Sequence, residues 1–168
     1  MTISIQALEP RFIGQLAAWH QAEWYHLDDT VTEAVRRKRL AEHCDTRSLP
    51  ATFVALEGGT LVGSICLVAH DTSDRPQYSP WLSRIFVAPE HRGKGIGRAL
   101  IDRAKAEMRR QGHDALYLIT EDKGPYYARM GWNKVENYKL NDHPVEIMKI
   151  SLHGSSSKRG EHNEKTDP

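Results

Sequence analysis

The sequence is poor in cysteine, in net charge and in long apolar runs. Only Cys44 and Cys66 occur in 168 residues, with no paired spacing. That excludes a disulfide framework, and free thiols fit a reducing compartment. Lys and Arg number 23 against 22 Asp and Glu, for a formal charge of +1. A chain that works on nucleic acid carries a basic excess, so no nucleic acid partner is expected. No apolar run approaches the roughly 20 residues that cross a bilayer, so no membrane is expected. The opening MTISIQALEP lacks the basic and apolar regions of a signal peptide, which makes cytoplasmic the expected location. The nine histidines form no ligand cluster, so no metal is expected. There is no internal repeat.

What is present reads as one mixed α/β domain over residues 1–152, followed by a polar tail, 153–168, that cannot bury apolar area. Ile3 and Ile5 alternate with polar residues, which predicts a first strand. Pro10 opens a helix with Ile13, Leu16, Ala17, His20 and Trp24 on one face. Thr30 and Glu33 read as the capping box of a second helix carrying Ala34, Val35 and Ala41 and running to about Asp45. Thr52 to Glu57 and Leu61 to Ala69 read as a hairpin about Gly58-Gly59, with Gly63 marking a bend or a close approach. Trp81 to Val87 is a strand, and Ile96 to Gln111 a helix with Ile96, Ala99, Leu100, Ala104 and Met108 along its stripe. Ala115 to Thr120 is a buried strand, and Pro125 to Met130 a short helix stopped by Gly131. Two strands end the domain, Asn133 to Leu140 and Val145 to Leu152, about the turn Asn141-Asp142-His143-Pro144. The order is β-α-α-β-β-β-α-β-α-β-β.

The chemistry lies in Ile85-Phe86-Val87-Ala88-Pro89-Glu90-His91-Arg92-Gly93-Lys94-Gly95-Ile96-Gly97-Arg98. A strand runs into a glycine-rich turn that opens a helix. The first N–H groups of a helix have no internal partner and, with its dipole, attract an anion. Gly93, Gly95 and Gly97 let a phosphate come close, and Arg92, Lys94 and Arg98 add positive charge. The pattern is not a P-loop, because Lys94 is followed by glycine rather than Ser or Thr. It is not a dinucleotide fingerprint either, because the glycines alternate and two hairpin strands come first.

Val87-Ala88-Pro89 followed by Arg92-Gly93-Lys94-Gly95-Ile96-Gly97 resembles the phosphate loop of the GNAT acetyltransferases. A second motif stands about thirty residues on, where Pro125-Tyr126-Tyr127-Ala128-Arg129-Met130-Gly131-Trp132 is similar to that family's aromatic-Tyr-x-x-x-Gly-aromatic run. The resemblance covers Leu82 to Trp132 by motif and the rest by element order. It implies the GNAT fold, with a splayed central strand pair, and transfer from acetyl-CoA to a primary amine with both substrates bound. Arg92, Gly93, Lys94, Gly95, Ile96, Gly97 and Arg98 are then the pyrophosphate site. Val87 offers a backbone N–H to the thioester oxygen, Thr120 touches the cofactor arm, and Tyr127 is the general acid for the departing thiolate. A thiol titrates near 8.5 and a phenol near 10, so a tyrosine beside the sulfur can supply a proton or hydrogen bond.

The remaining features read more plainly. Tyr126 is expected to be a core aromatic, and so are Trp19, Trp24 and Tyr25, which could otherwise line an acceptor pocket. His20 reads as a satisfied buried histidine, His91 as exposed, and Arg36-Arg37-Lys38-Arg39 as a solvated basic face. No base for the amine stands out among Glu23, Asp28, Asp29 and Glu33. The acceptor, a small-molecule or protein amine, stays open, and a homodimer is compatible with the sequence. Three rival readings are a CoA-binding regulatory module, a different acyl donor read by a cation such as Arg84, and an aminoacyl-tRNA acceptor. A binding module has no need of Tyr127, and the neutral charge speaks against tRNA.

Overall fold

The computed structural model describes residues 2–153. Its strands are β1 (Ile3–Ala7), β2 (Ala51–Glu57), β3 (Thr60–Val68), β4 (Trp81–Val87), β5 (Ala115–Thr120), β6 (Asn133–Leu140) and β7 (His143–Ser151). Its helices are α1 (Ile13–Trp24), α2 (Glu33–Ala41), α3 (Ile96–Arg110) and α4 (Gly124–Arg129). The element order is the one the periodicities predict. The expected tail lies outside the described residues apart from His153.

All seven strands join in one sheet, ordered β1-β2-β3-β4-β5-β7-β6. Every neighbouring pair is antiparallel except β4 and β5. Helices α1 and α2 cover one face, where Leu16 and Leu40 pack on Val54, Leu56 and Cys66. Helix α3 covers the other, where Leu100, Ala104 and Met108 pack on Phe53, Ile65 and Leu67. Alternation along β2 and β3 sends successive side chains to opposite layers, so these strands read as nearly continuous apolar runs.

Two irregularities shape the centre. Strand β4 carries an extra residue, Ser83, between the pairs Cys66–Arg84 and Leu67–Leu82. Such a bulge re-aims the side chains beyond it. Leu82 enters the α3-side core, while Arg84, two residues on, faces the α1–α2 side opposite Cys66. Strands β4 and β5 also pair only at Trp81–Tyr117 and Leu82–Leu118. Beyond those two pairs they part, which leaves a slot lined by unpaired backbone. Gly63 sits behind it as a close approach, since a Cβ there would lie 2.9 Å from the Phe86 carbonyl oxygen.

Several local expectations are corrected. Thr32, not Thr30, caps α2, accepting from Val35 N–H at 3.2 Å. Thr30 instead turns its N–H and hydroxyl to the Asp28 carboxylate. The helix ends at Ala41, short of Asp45, and buries Arg36 and Leu40 rather than Ala34, Val35 and Ala41. Leu40 is the one bulky anchor the helix has, and it sets which face turns inward. The last turn is the two residues Asn141-Asp142, with φ of 48° and 68°, and β7 begins at His143. Pro144 is tolerated because the β5 ladder ends at Glu146, so no neighbour there needs its missing N–H.

Candidate active site

The glycine-rich turn takes the shape its sequence predicts. Gly93 and Gly95 have φ of 75° and 84°, which side chains rarely adopt, and a Cβ on either would meet nothing within 4 Å. Gly95 is the N-cap of α3 and no side chain caps the helix, so its first N–H groups are free for a ligand. Lys94 and Arg98 are exposed beside it. Arg92 is exposed too, and ties the loop to the strand by donating from Nε to the Val87 carbonyl at 2.8 Å. Ile96 is only 3% exposed, so its side chain anchors the helix and only its N–H faces the loop. Gly97 is a close approach, where a Cβ would stand 3.4 Å from Tyr126 Oη and 3.8 Å from Val87 Cγ2.

Val87 adjoins the slot. Ala88 N–H bonds the Val62 carbonyl at 2.9 Å, which makes Val87 and Gly63 a non-hydrogen-bonded pair. The N–H of Val87 therefore points away from β3, towards the opening between β4 and β5. Thr120 closes the other strand and is buried, and its hydroxyl oxygen accepts from Lys123 N–H at 2.9 Å, holding the turn into α4.

Helix α4 sets two tyrosines differently. Tyr127 is 7% exposed and packs against Trp132, ring centroids 5.9 Å apart. Burial, and then the neighbouring Tyr126, push its phenol up to about 12. Tyr126 is not the core residue expected from sequence. It is 39% exposed, with its hydroxyl over the start of α3. An aromatic pair on a short helix cannot face one way, and only packing shows which ring turns in.

On the α1–α2 side of the slot lies a cavity of about 460 Å³ between helices and sheet. Its lining includes Trp24, Arg36, His43, Asp71, Ser83 and Arg84. His20 is a satisfied buried histidine as expected, paired with Ser64 Oγ at 3.1 Å. Burial, with Arg84 and Arg36 adding to it, pushes His20 down to about 3. His43 meets Thr52 Oγ1 at 2.9 Å, and burial and then Arg84 push it down to about 4. Asp71 accepts from Ser83 Oγ at 3.0 Å, and burial raises its carboxyl above the ordinary range against the pull of Arg84.

Of the four carboxylates weighed as bases, Asp28 lines this cavity, but it is bound to Thr30, and Glu33 is paired with Arg37. Asp71, Ser83 and His43 were missed because they sit on a loop, a bulge and a helix end with no motif spacing. Trp24 lines the cavity and Trp19 packs on Phe86, but Tyr25 is 53% exposed. His91 is not simply exposed, since it lies 3.4 Å from Glu57 with its side chain 20% accessible. A second, more open depression of about 680 Å³ lies over α4, β6 and β7 and includes no residue of the glycine-rich turn. No group of three metal-ligating side chains occurs among the described residues.

Comparison with known proteins agrees with this fold. Residues 13–132 match the model of the acetyltransferase (GNAT) family. The chain is 30% identical over 152 residues to mycothiol acetyltransferase of Propionibacterium freudenreichii subsp. shermanii, covering 86% of the chain and 47% of that protein. It is 31% identical over 84 residues to an uncharacterized N-acetyltransferase of Chlorobaculum tepidum, covering 50% of each. The chain thus spans about half the length of both curated relatives. In fold it is similar to YncA of Salmonella typhimurium, solved with its cofactor acetyl-CoA, with a TM-score of 0.70, 19% identity, and coverage of 90% of this chain and 95% of that one.

Proposed function

The chain belongs to the GNAT acetyltransferase family, and we propose that it moves an acetyl group directly from acetyl-CoA to a primary amine bound beside it. The observation that carries this is the join of three parts: an uncapped α3 start, a slot that opens after two strand pairs, and a polar cavity behind it. These parts fit a long ligand with a phosphate end and a reactive end. The N–H groups after Gly95, with Arg92, Lys94 and Arg98, would hold the pyrophosphate of CoA. The unpaired backbone of β4 would hold the pantetheine arm, with Thr120 across from it. Acetyl-CoA itself supplies the activated acyl group as a thioester.

The protein's own groups then have separate tasks. The Val87 N–H is a donor for the thioester oxygen as it gains charge. Tyr127, kept protonated by burial, is a donor to the sulfur. The amine must lose a proton before it attacks, since a lysine-like amine titrates near 10.4. Asp71 is the base we favour, because it lines the cavity and burial makes its carboxylate more basic. A module that only bound CoA would have no use for an acid beside the sulfur, which is the role Tyr127 would fill.

The test is a thermal-shift titration with acetyl-CoA beside NADH and ATP. A ligand that binds only the folded state adds about 2.7 kcal/mol at 100 times Kd, which is roughly 5–10 °C for a chain of this size. A rise with acetyl-CoA alone is expected. No rise, or a larger one with either nucleotide, would withdraw the assignment.

A further inference from the structure

Three guanidinium groups converge on the cavity between the sheet and the α1–α2 layer. Arg36 and Arg39 come from α2, and Arg84 comes from β4 at the bulge that opens the slot. Among the described residues, no carboxylate lies within ion-pair distance of any of them. Arg36 is only 5% exposed and donates to a neutral partner, Gln21 Oε1, at 2.8 Å. Arg84 donates to Ser83 Oγ at 3.1 Å. Two carboxylates share the cavity, Asp28 accepting from Thr30 and Asp71 from Ser83, so three guanidinium groups face two acids and the positive charge is only partly offset. The buried histidines His20 and His43 are neutral and supply no countercharge.

Gathering like charges in a half-enclosed space is costly unless an anion completes the set. Guanidinium forks match the two oxygens of a carboxylate or the face of a phosphate. We propose that the acceptor is a small amine that itself carries an oxyanion, a carboxylate or a phosphate, and that Arg84, Arg39 and Arg36 hold that group while the amine faces the slot. A cavity of about 460 Å³ suits a small molecule of this kind. This inference rests on the acetyl-transfer reading above.

The experiment uses the full chain with acetyl-CoA and follows released thiol. Glycine is compared with glycinamide, β-alanine with β-alaninamide, and O-phosphoethanolamine with ethanolamine, which separates carboxylate from phosphate. The anionic member of a pair should be favoured in kcat/KM by roughly 10- to 100-fold. Arg84→Gln should erase most of that preference through the KM of the amine, leaving the KM of acetyl-CoA unchanged. In parallel, inorganic phosphate is added to CoA-saturated protein at constant ionic strength. It should raise Tm, and the Arg84→Gln/Arg39→Gln double variant should lose the rise. Preference for the neutral amines, or no phosphate-dependent rise in the CoA-saturated wild type, overturns the inference. So does a preference for succinyl-CoA over acetyl-CoA that Arg84→Gln reverses, since the arginine would then read the donor. If CoA alone gives no stabilisation, it is the underlying acetyl-transfer reading that fails.

Discussion

Tyr127 is kept protonated by its surroundings. Its ring is buried between Tyr126 and Trp132, with centroids 5.2 and 5.9 Å away. Its hydroxyl has no hydrogen-bond partner among the described residues. Removing that oxygen therefore costs the fold little, since a hydroxyl without a partner contributes nothing to stability. Tyr127→Phe should lower kcat by about 10²-fold while acetyl-CoA affinity and Tm hold. Steady-state kinetics beside calorimetry checks this, and unchanged kcat would remove Tyr127 from the mechanism. For Asp71 the expected signature lies in pH. Asp71→Asn should lower kcat/KM at neutral pH and recover at alkaline pH, where the amine arrives already deprotonated. A loss of equal size at every pH would mean that Asp71 only supports Ser83.

Among the elements, α2 and β4 decide most. Helix α2 brings Arg36 and Arg39 to the cavity, so its start must be fixed. Thr32 does this through its bond to Val35 N–H, whereas Thr30 serves the preceding loop. Thr32→Ala should cost about 1 kcal/mol in urea unfolding and Thr30→Ala clearly less. Equal losses would place the cap elsewhere. Strand β4 is pinned to β5 where the slot begins. Trp81 is fully buried there, its ring tilted against those of Tyr78 and Tyr117, with its indole N–H on the Tyr78 carbonyl at 2.8 Å. Past that joint the bulge at Ser83 turns Arg84 to the α1–α2 side.

Across the whole molecule, the buried histidines tie stability to pH. Both His20 and His43 have folded-state values below the ordinary 6.5, at about 3 and about 4. Between those values and 6.5 the unfolded chain binds more protons than the folded one, so stability rises with pH across that window. It is fully present above about pH 7 and falls as pH drops. At pH 5 the two together should cost roughly 4 kcal/mol relative to pH 8. Urea unfolding at the two pH values tests this; half the loss would mean that one ring takes up its proton in the folded state, and a flat profile that both do. Exposed carboxylates with lowered values, such as Asp45, act only at lower pH.

The sequence by itself determined the element order, the glycine-rich turn and the identity of the family. Those depend on local rules: period along the chain, glycines at positive φ, and an uncapped helix start after a strand. Strand limits for β4 and β5 were legible for the same reason, since both are apolar runs bounded by breakers. Only the tertiary structure decided which tyrosine of Tyr126-Tyr127 is buried, that Arg36 leaves the basic face of α2 for the interior, and that Asp71 and Arg84 share a cavity. Each of these depends on contacts between residues far apart in sequence, or on one extra residue at Ser83 that reverses a side-chain direction. Local periodicity carries no record of such an insertion, because its effect exists only against the neighbouring strand.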